Sequence, residues 1–126
     1  MAVLTLSEAE DLVTAALMRS RTAEVSARIV AKALVLAEAD GLPSHGLMRV
    51  PAYAAQAKVG KVDGFATPSA ERLRPGIVAI DAAHGFAFPA FDLAVALLPE
   101  MTRANGIATA AIRRSHHCGA AGHPVE

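Results

Sequence analysis

Ser44, His45 and Arg49 place a hydroxyl, an imidazole and a guanidinium within one short stretch of an otherwise alanine-rich, aliphatic chain. If a helix begins near Gly46 or Leu47, Ser44 and His45 lie at its N-terminus, where free backbone N–H groups favour an anion. Arg49, about one turn further on, could then hold a carboxylate through two hydrogen bonds. Together these groups would bind a small acid beside His45. An ordinary helix start, with Ser44 as N-cap and solvated His45 and Arg49, explains the same residues.

A second group of candidates lies near the end of the sequence, in the run His116-His117-Cys118-Gly119-Ala120-Ala121, with His123 nearby. Histidine and cysteine are zinc ligands, but adjacent residues rarely ligate one ion together, and there is no C-x-x-C or H-x-x-x-H pair. Cys118 lacks a nucleophile signature and is expected to be a small buried thiol. The run therefore does not indicate a metal centre.

The position of this run, directly after a predicted strand, favours another role. Gly119 and Gly122 would let a ligand approach the backbone closely, with His117 pointing into the cleft. A tight turn with exposed histidines accounts for the same residues equally well. The run falls short of G-x-G-x-x-G, so it does not predict a Rossmann site.

Three other positions carry weaker signals. His84 fits a turn after a strand, and Arg113-Arg114 fits a strand end that meets solvent. Tyr53, one turn after Arg49, either faces the same cleft or packs against other residues. Only Tyr53 would add to the first group of candidates.

Two helices precede the first group of candidates. Ser7 with Glu10 has the form of a capping box, and apolar residues follow at helical spacing. A second helix is predicted from near Thr22, with Gly41 as its C′ residue and Pro43 just beyond. The two helices would form a hairpin.

The remaining elements are a third helix and a strand-helix-strand unit. The third helix covers about 49–58, with Pro51 in its first turn, and the segment 62–75 is predicted to be a loop. A buried strand at 77–80 ends at Asp81, a helix runs from about Phe88 to Asn105, and a strand at 107–112 should be covered on both faces. The fold class is therefore α/β (α+β).

Composition narrows the function classes. The 126 residues are 53% hydrophobic and carry zero formal net charge, which argues against a nucleic-acid binder and against a polybasic membrane surface. The sequence contains neither a membrane-spanning apolar run nor a signal peptide. The single Cys118 excludes an internal disulfide. We therefore expect the protein to be cytoplasmic.

Three segments together resemble the malate/L-lactate dehydrogenase family of NAD(P)-dependent oxidoreductases: AEADGLPSHGLMRVPAY, VAIDAAHGFAFPAF and NGIATAAIRRSHHCGAAGH. They occur in the same order and span nearly the whole chain. Within the family, Pro89 and the doubled histidine are most similar to the Δ1-piperidine-2-carboxylate/Δ1-pyrroline-2-carboxylate reductases.

The resemblance implies hydride transfer between NAD(P)H, with NADP slightly favoured over NAD, and C2 of a 2-oxo or 2-hydroxy acid or a cyclic imino acid. By motif, Ser44 and His45 would form the catalytic relay, with His45 as proton donor or acceptor, and Arg49 would hold the substrate carboxylate. His117 is the other candidate acid or base. The cofactor would be lined by His117, Cys118, Gly119, Ala120 and Ala121.

The resemblance also implies a non-Rossmann fold, usually dimeric. Residues 1–75 would form a helical region with the substrate motif, and residues 76–126 would begin a largely antiparallel cofactor-binding region. Family members are much longer, so the chain is expected to be a truncated N-terminal portion. The relay aspartate and most of the cofactor site would then lie beyond Glu126. The chain itself would form a homodimer or associate with the missing C-terminal portion. The alternative is a catalytically silent α/β module that binds an anion or a separate C-terminal chain.

Overall fold

The computed structural model describes residues 2–122. They divide into two compact units, residues 2–65 with 119–122 and residues Ala66–Cys118. In chain order the described elements are α1 (Leu6–Met18), α2 (Glu24–Ala39), a 3₁₀ helix (Leu47–Arg49), α3 (Val50–Lys58), β1 (Ser69–Arg74), β2 (Ile77–Asp81), α4 (Ala87–Asn105) and β3 (Thr109–Arg113). None of the helices within these residues is both long and apolar enough to cross a membrane.

Helix α1 begins earlier than predicted, and its N-cap is Thr5. The Thr5 N–H donates to the Glu8 carboxylate at 2.8 Å, and the Glu8 N–H donates to Thr5 Oγ1 at 3.2 Å. The hydrogen bonds from the Thr5 backbone and hydroxyl lower the pKa of Glu8. The predicted Ser7–Glu10 capping box is therefore wrong. Both pairs match the same pattern, and the earlier one adds residues to the helix.

Helix α2 ends at Ala39, and Gly41 is its C′ residue, as predicted. Gly41 has φ 76, its N–H donates to the Glu38 carbonyl, and the Leu42 N–H donates to the Ala37 carbonyl. This is a Schellman motif, in which glycine adopts the left-handed conformation at little cost. Helices α1 and α2 pack against each other, with Leu17 and Leu34 fully buried. The motif ends α2 just before the segment that carries Ser44 and His45.

The second unit contains a three-stranded sheet in the order β1-β2-β3. Strands β1 and β2 pair antiparallel and are joined by a two-residue turn at Pro75-Gly76. Strands β2 and β3 pair parallel, and α4 connects them along the chain. The predicted strand-helix-strand order is confirmed. The prediction of a loop over 62–75 is wrong at β1. This edge strand was missed because all six of its residues are exposed and show no apolar alternation. The Pro-Gly turn was the available signal.

The core of this unit lies between the sheet and α4. Val78 and Ile80 of β2 are buried, and Ala110 and Ile112 of β3 pack against the same cluster. The alternate positions of β3, which hold threonine, alanine and arginine, are exposed. The prediction that β3 is covered on both faces is therefore wrong, because small residues such as alanine and threonine do not require burial.

Candidate active site

Ser44 does not cap a helix. The 3₁₀ helix begins at Leu47, and its N-cap position is Gly46, without a side-chain cap. The Ser44 hydroxyl instead lies 3.1 Å from Nδ1 of His45. Ser44 is exposed and His45 is half-buried. The N-cap alternative is thus wrong, and the structure brings the hydroxyl and the imidazole together.

Glu38 fills the helix terminus that the sequence assigned to a bound anion. The Leu47 N–H donates to Oε2 of Glu38 at 2.8 Å, so this chain supplies its own carboxylate there. That expected anion position is therefore wrong. Sequence reasoning missed Glu38, although an acidic side chain in the last turn of α2 is unfavourable with respect to the helix dipole and was a usable signal.

Gly46 lets this segment lie directly on α2. A Cβ at this position would lie 2.9 Å from both the backbone nitrogen and the Cα of Glu38. Backbone atoms of a helix cannot move aside easily, so only glycine fits without displacing the segment. The segment 44–49, named the substrate loop after its predicted role, is therefore held to α2 by one hydrogen bond and one close approach.

Arg49 closes the substrate loop. Its Nε donates to the Ser44 carbonyl at 2.5 Å. Among the described residues, its terminal nitrogens make no hydrogen bond or ion pair, so the guanidinium fork stays available for a carboxylate. Tyr53 is buried, with 3% of its surface exposed, which agrees with the packing alternative.

The Ser44–His45 pair suits proton transfer at the other ring nitrogen. When His45 is neutral with its proton on Nδ1, that N–H donates to Ser44 Oγ, and Nε2 is the basic nitrogen. When His45 is protonated, Nδ1–H keeps the same partner and Nε2–H is the acid. Ser44 thus holds Nδ1 in both states.

The second unit contains an ion pair that the sequence did not indicate. Nε and a terminal nitrogen of Arg114 donate to the two oxygens of Asp81 at 2.9 and 2.7 Å, and Arg113 lies 3.2 Å from the same carboxylate. The Arg114 hydrogen bond and the Ala83 N–H lower the pKa of Asp81 to about 2. The interpretation of Arg113-Arg114 as only a solvated strand end is wrong. A partner 33 residues away gives no local sequence signal.

Further bonds join the loop after β2 to the segment after β3. The His84 N–H donates to the Arg114 carbonyl at 2.7 Å, and the His116 N–H donates to the Gly85 carbonyl at 3.0 Å. The rings of Phe86 and His116 meet edge to face at 5.7 Å. His84 lies in a turn, as predicted.

The run after His116 lies near the surface, with Gly119 and Ala120 half-buried and the other described residues exposed. His117 and Cys118 belong to the second unit and are both exposed, so the predicted burial of the thiol is wrong: the run lies in coil rather than under a packed element. Residues 119–121 belong to the first unit, with φ 67 at Gly119. A Cβ added at Gly122 would meet no atom within 4 Å. His123 lies outside the described residues.

Other parts of the molecule offer less chemistry. Over residues 2–122, no three His, Cys, Asp or Glu side chains come together in a way that could hold a metal ion. A cavity of about 250 Å³ in the second unit involves no candidate residue of either group. Its lining consists of Ala70, Arg72, Val78, Leu97, Glu100 and Met101.

Comparison with known proteins assigns the chain to a family. The malate/L-lactate dehydrogenase family model matches residues 4–126, and the chain belongs to this family. It is 44% identical over 124 residues to the (2R)-3-sulfolactate dehydrogenase (NADP(+)) of Chromohalobacter salexigens, covering 98% of this chain and 37% of that protein. It is 41% identical over 120 residues to a Delta(1)-pyrroline-2-carboxylate/Delta(1)-piperideine-2-carboxylate reductase of Pseudomonas putida, covering 95% and 35%.

Solved structures show the same fold. The delta1-piperideine-2-carboxylate reductase from Pseudomonas syringae pvar. tomato superposes with a TM-score of 0.95 at 35% identity, over 100% of this chain and 38% of that chain. The malate dehydrogenase from Pyrococcus horikoshii OT3 gives 0.87 at 25% identity, over 98% and 35%. The chain thus spans about a third of the length of the relatives it matches.

The predicted family and fold class are confirmed. The predicted branch is represented by the pyrroline-2-carboxylate and piperideine-2-carboxylate reductases. The similarity to a sulfolactate dehydrogenase was not anticipated from the sequence.

Proposed function

We propose that the protein is an NAD(P)-dependent oxidoreductase acting at C2 of a 2-hydroxy or 2-oxo acid or a cyclic imino acid, with this chain forming its N-terminal portion. The observation that carries the proposal is the substrate loop, in which Nε of Arg49 is bonded to the Ser44 carbonyl, the terminal nitrogens of Arg49 are left for a carboxylate, and the Ser44 hydroxyl holds His45. The names of the relatives support it, since 3-sulfolactate and the pyrroline- and piperideine-2-carboxylates are all small carboxylates.

The run His117–Ala121 fits one side of a nicotinamide cofactor. In the first unit, the left-handed conformation of Gly119 and the open space at Gly122 let a ligand approach the main chain. In the second unit, the exposed His117 ring offers a flat contact surface of its own. The cofactor, when bound, supplies the hydride. NADP is favoured because the sulfolactate relative carries NADP(+) in its name.

In the proposed mechanism, Arg49 binds the substrate carboxylate through its terminal nitrogens and thereby fixes the orientation of C2. As a hydride adds to C2, negative charge develops on the carbonyl oxygen or the imine nitrogen. His45 neutralises that charge by giving up its Nε2 proton, which yields a hydroxy acid or an amino acid. In the oxidative direction, neutral His45 takes the proton back. His117 is assigned to the cofactor, because Ser44 orients His45 for proton transfer.

The test is a substrate panel with purified full-length protein. NADPH oxidation is followed at 340 nm with pyruvate, oxaloacetate and the two cyclic imino acids, and NADP⁺ reduction is followed with (2R)-3-sulfolactate. Turnover of at least one substrate supports the proposal. Protein that binds neither NADPH nor NADH and turns over nothing would favour the silent α/β module.

Assembly and location stay predictions. Native mass spectrometry distinguishes a homodimer from association with a separate C-terminal polypeptide. The domain boundary near residue 75 and the cytoplasmic location are likewise proposals.

A further inference from the structure

The loops at the carboxyl ends of the parallel strands β2 and β3 are both strained. Ala83 and His84 follow β2 with φ 51 and 64, and Arg114 follows β3 with φ 51. Residues with a side chain adopt this left-handed region at a cost in free energy, and they persist there only when their surroundings hold them. Such strain is common near functional sites, and specific contacts must hold these loops in place.

One carboxylate is bonded to both strained loops. Asp81 accepts the Ala83 N–H at 2.8 Å on one side and the forked guanidinium of Arg114 on the other. The Asp81 side chain is only 14% exposed, so water competes little for its oxygens. Arg113 adds a single contact at 3.2 Å with a side chain that is 70% exposed.

One of these two clamped loops, the loop after β3, leads directly into the candidate cofactor run. Arg114 precedes His117 by three residues. Between them, the His116 N–H is bonded to Gly85 and the His116 ring lies against Phe86. The direction in which the chain enters the run is thus determined by a chain of contacts that begins at Asp81.

We propose that Asp81 is a positioning residue for the cofactor: by clamping Arg114 it sets the backbone path by which the chain reaches His117, the first residue of the candidate cofactor run. This inference rests on the proposed function, because it takes that run as the cofactor contact. The effect of Asp81 on this run is transmitted through Arg114. Its loss should therefore weaken the binding of NADPH more than the binding of the acid substrate.

The experiment compares Asp81→Asn, Arg114→Gln and the double variant in full-length protein, with Arg113→Gln as the matched control. NADPH affinity is measured by fluorescence titration without acid substrate. Hydrogen exchange of the peptide containing His116 is measured without any ligand. Each single variant should raise the Kd for NADPH about ten-fold, and the double variant should raise it no further, because coupled residues are not additive. Hydrogen exchange of the His116 peptide should accelerate in both single variants and in the double variant, but not in Arg113→Gln. The KM for the acid should change less than about two-fold in all of them.

Three results would overturn the inference. They are an unchanged Kd for NADPH in Asp81→Asn, additive losses in the double variant, and equal rises in the Kd for NADPH and the KM for the acid. If Asp81→Asn does not fold, Arg114→Lys replaces it. A lysine keeps the charge but loses the fork, so an unchanged Kd in that variant also overturns the inference. Wild-type protein that binds neither NADPH nor NADH overturns the proposed function itself, whereas equal binding by wild type and Asp81→Asn overturns only the inference.

Discussion

The substrate loop in the first unit and the clamped loops in the second are each held by one carboxylate, but in different ways. Glu38 accepts a neutral backbone N–H from Leu47, nine residues away. Asp81 accepts a charged guanidinium from Arg114, 33 residues away, together with a backbone N–H. The hydrogen bond to Glu38 needs only an acceptor oxygen, whereas the ion pair of Asp81 with Arg114 needs the negative charge of the carboxylate. The two candidate contact regions should therefore respond differently to substitution and to acid.

Arg49→Ala should have the largest effect, and the effect should fall on the acid substrate. Removal of the guanidinium should raise the KM for the acid about 100-fold, because truncating one partner of a charge pair leaves the other unpaired. The Kd for NADPH should stay within about two-fold, since binding of the cofactor is assigned to the other loop. Steady-state kinetics and fluorescence titration measure the two constants.

Arg49→Lys and Arg19→Ala are the matched controls for this prediction. Lysine keeps the charge without the fork, so its KM should lie between wild type and Arg49→Ala. Arg19 is exposed at the end of α1, and its loss should leave both constants unchanged. A rise in the Kd for NADPH that equals the rise in KM would show that the two loops do not have separate roles.

Gly46→Ala tests the close approach in the substrate loop. The added methyl group meets the backbone of Glu38, so the free energy of unfolding should fall by about 1–3 kcal/mol. Ser44 and His45 would move with the loop, and kcat should fall as well. Gly122→Ala, where the methyl group meets nothing, is the control for stability. Equal stability of the two variants in urea denaturation would contradict the predicted contact.

Acid should release the clamp in the second unit. The pKa of Asp81 is about 2 in the folded protein, against an ordinary value of 3.8. Because folding depresses this pKa, the ionised carboxylate stabilises the fold above about pH 4, and this contribution disappears as the pH falls through about 2. The difference in Tm between wild type and Asp81→Asn should therefore shrink over that window. A constant difference would show that the charge of Asp81 does not matter.

Glu38→Gln should have the smallest effect. A glutamine oxygen accepts the Leu47 N–H as well as a carboxylate does, so stability should change by less than about 0.5 kcal/mol. Glu38→Ala leaves that N–H without its partner and should cost about 1 kcal/mol. Thermal denaturation separates the two variants. If the glutamine variant were as unstable as the alanine variant, the substrate loop would depend on charge, and the contrast with Asp81 would fail.

Most of the fold follows from local sequence patterns. Gly41 ends α2, the Pro-Gly turn joins β1 to β2, and the aliphatic run at 77–80 forms a buried strand. Strand β1 was missed because its side chains are all exposed, and edge pairing leaves no apolar periodicity to detect. The start of α1 was misplaced because two capping patterns overlap within six residues.

The candidate site was predictable only in part. The types and spacing of Ser44, His45 and Arg49 indicated a site for a small acid, and the structure brings these residues together. Glu38 and Asp81 were not predicted, because the contact that each makes depends on tertiary structure, and only the unfavourable position of Glu38 in the last turn of α2 gave a local signal. A carboxylate that bonds to a residue 33 positions away has no sequence pattern of its own.

His45 is the residue on which the proposed chemistry depends most. The direct measurement is kcat/KM for NADPH-dependent reduction of the cyclic imino acids and 2-oxo acids by wild type and His45→Ala, with the Kd for NADPH measured in parallel. Loss of the proton donor should lower kcat/KM by at least about 100-fold, while the Kd for NADPH stays within about two-fold. Turnover by His45→Ala that equals wild type would contradict the account.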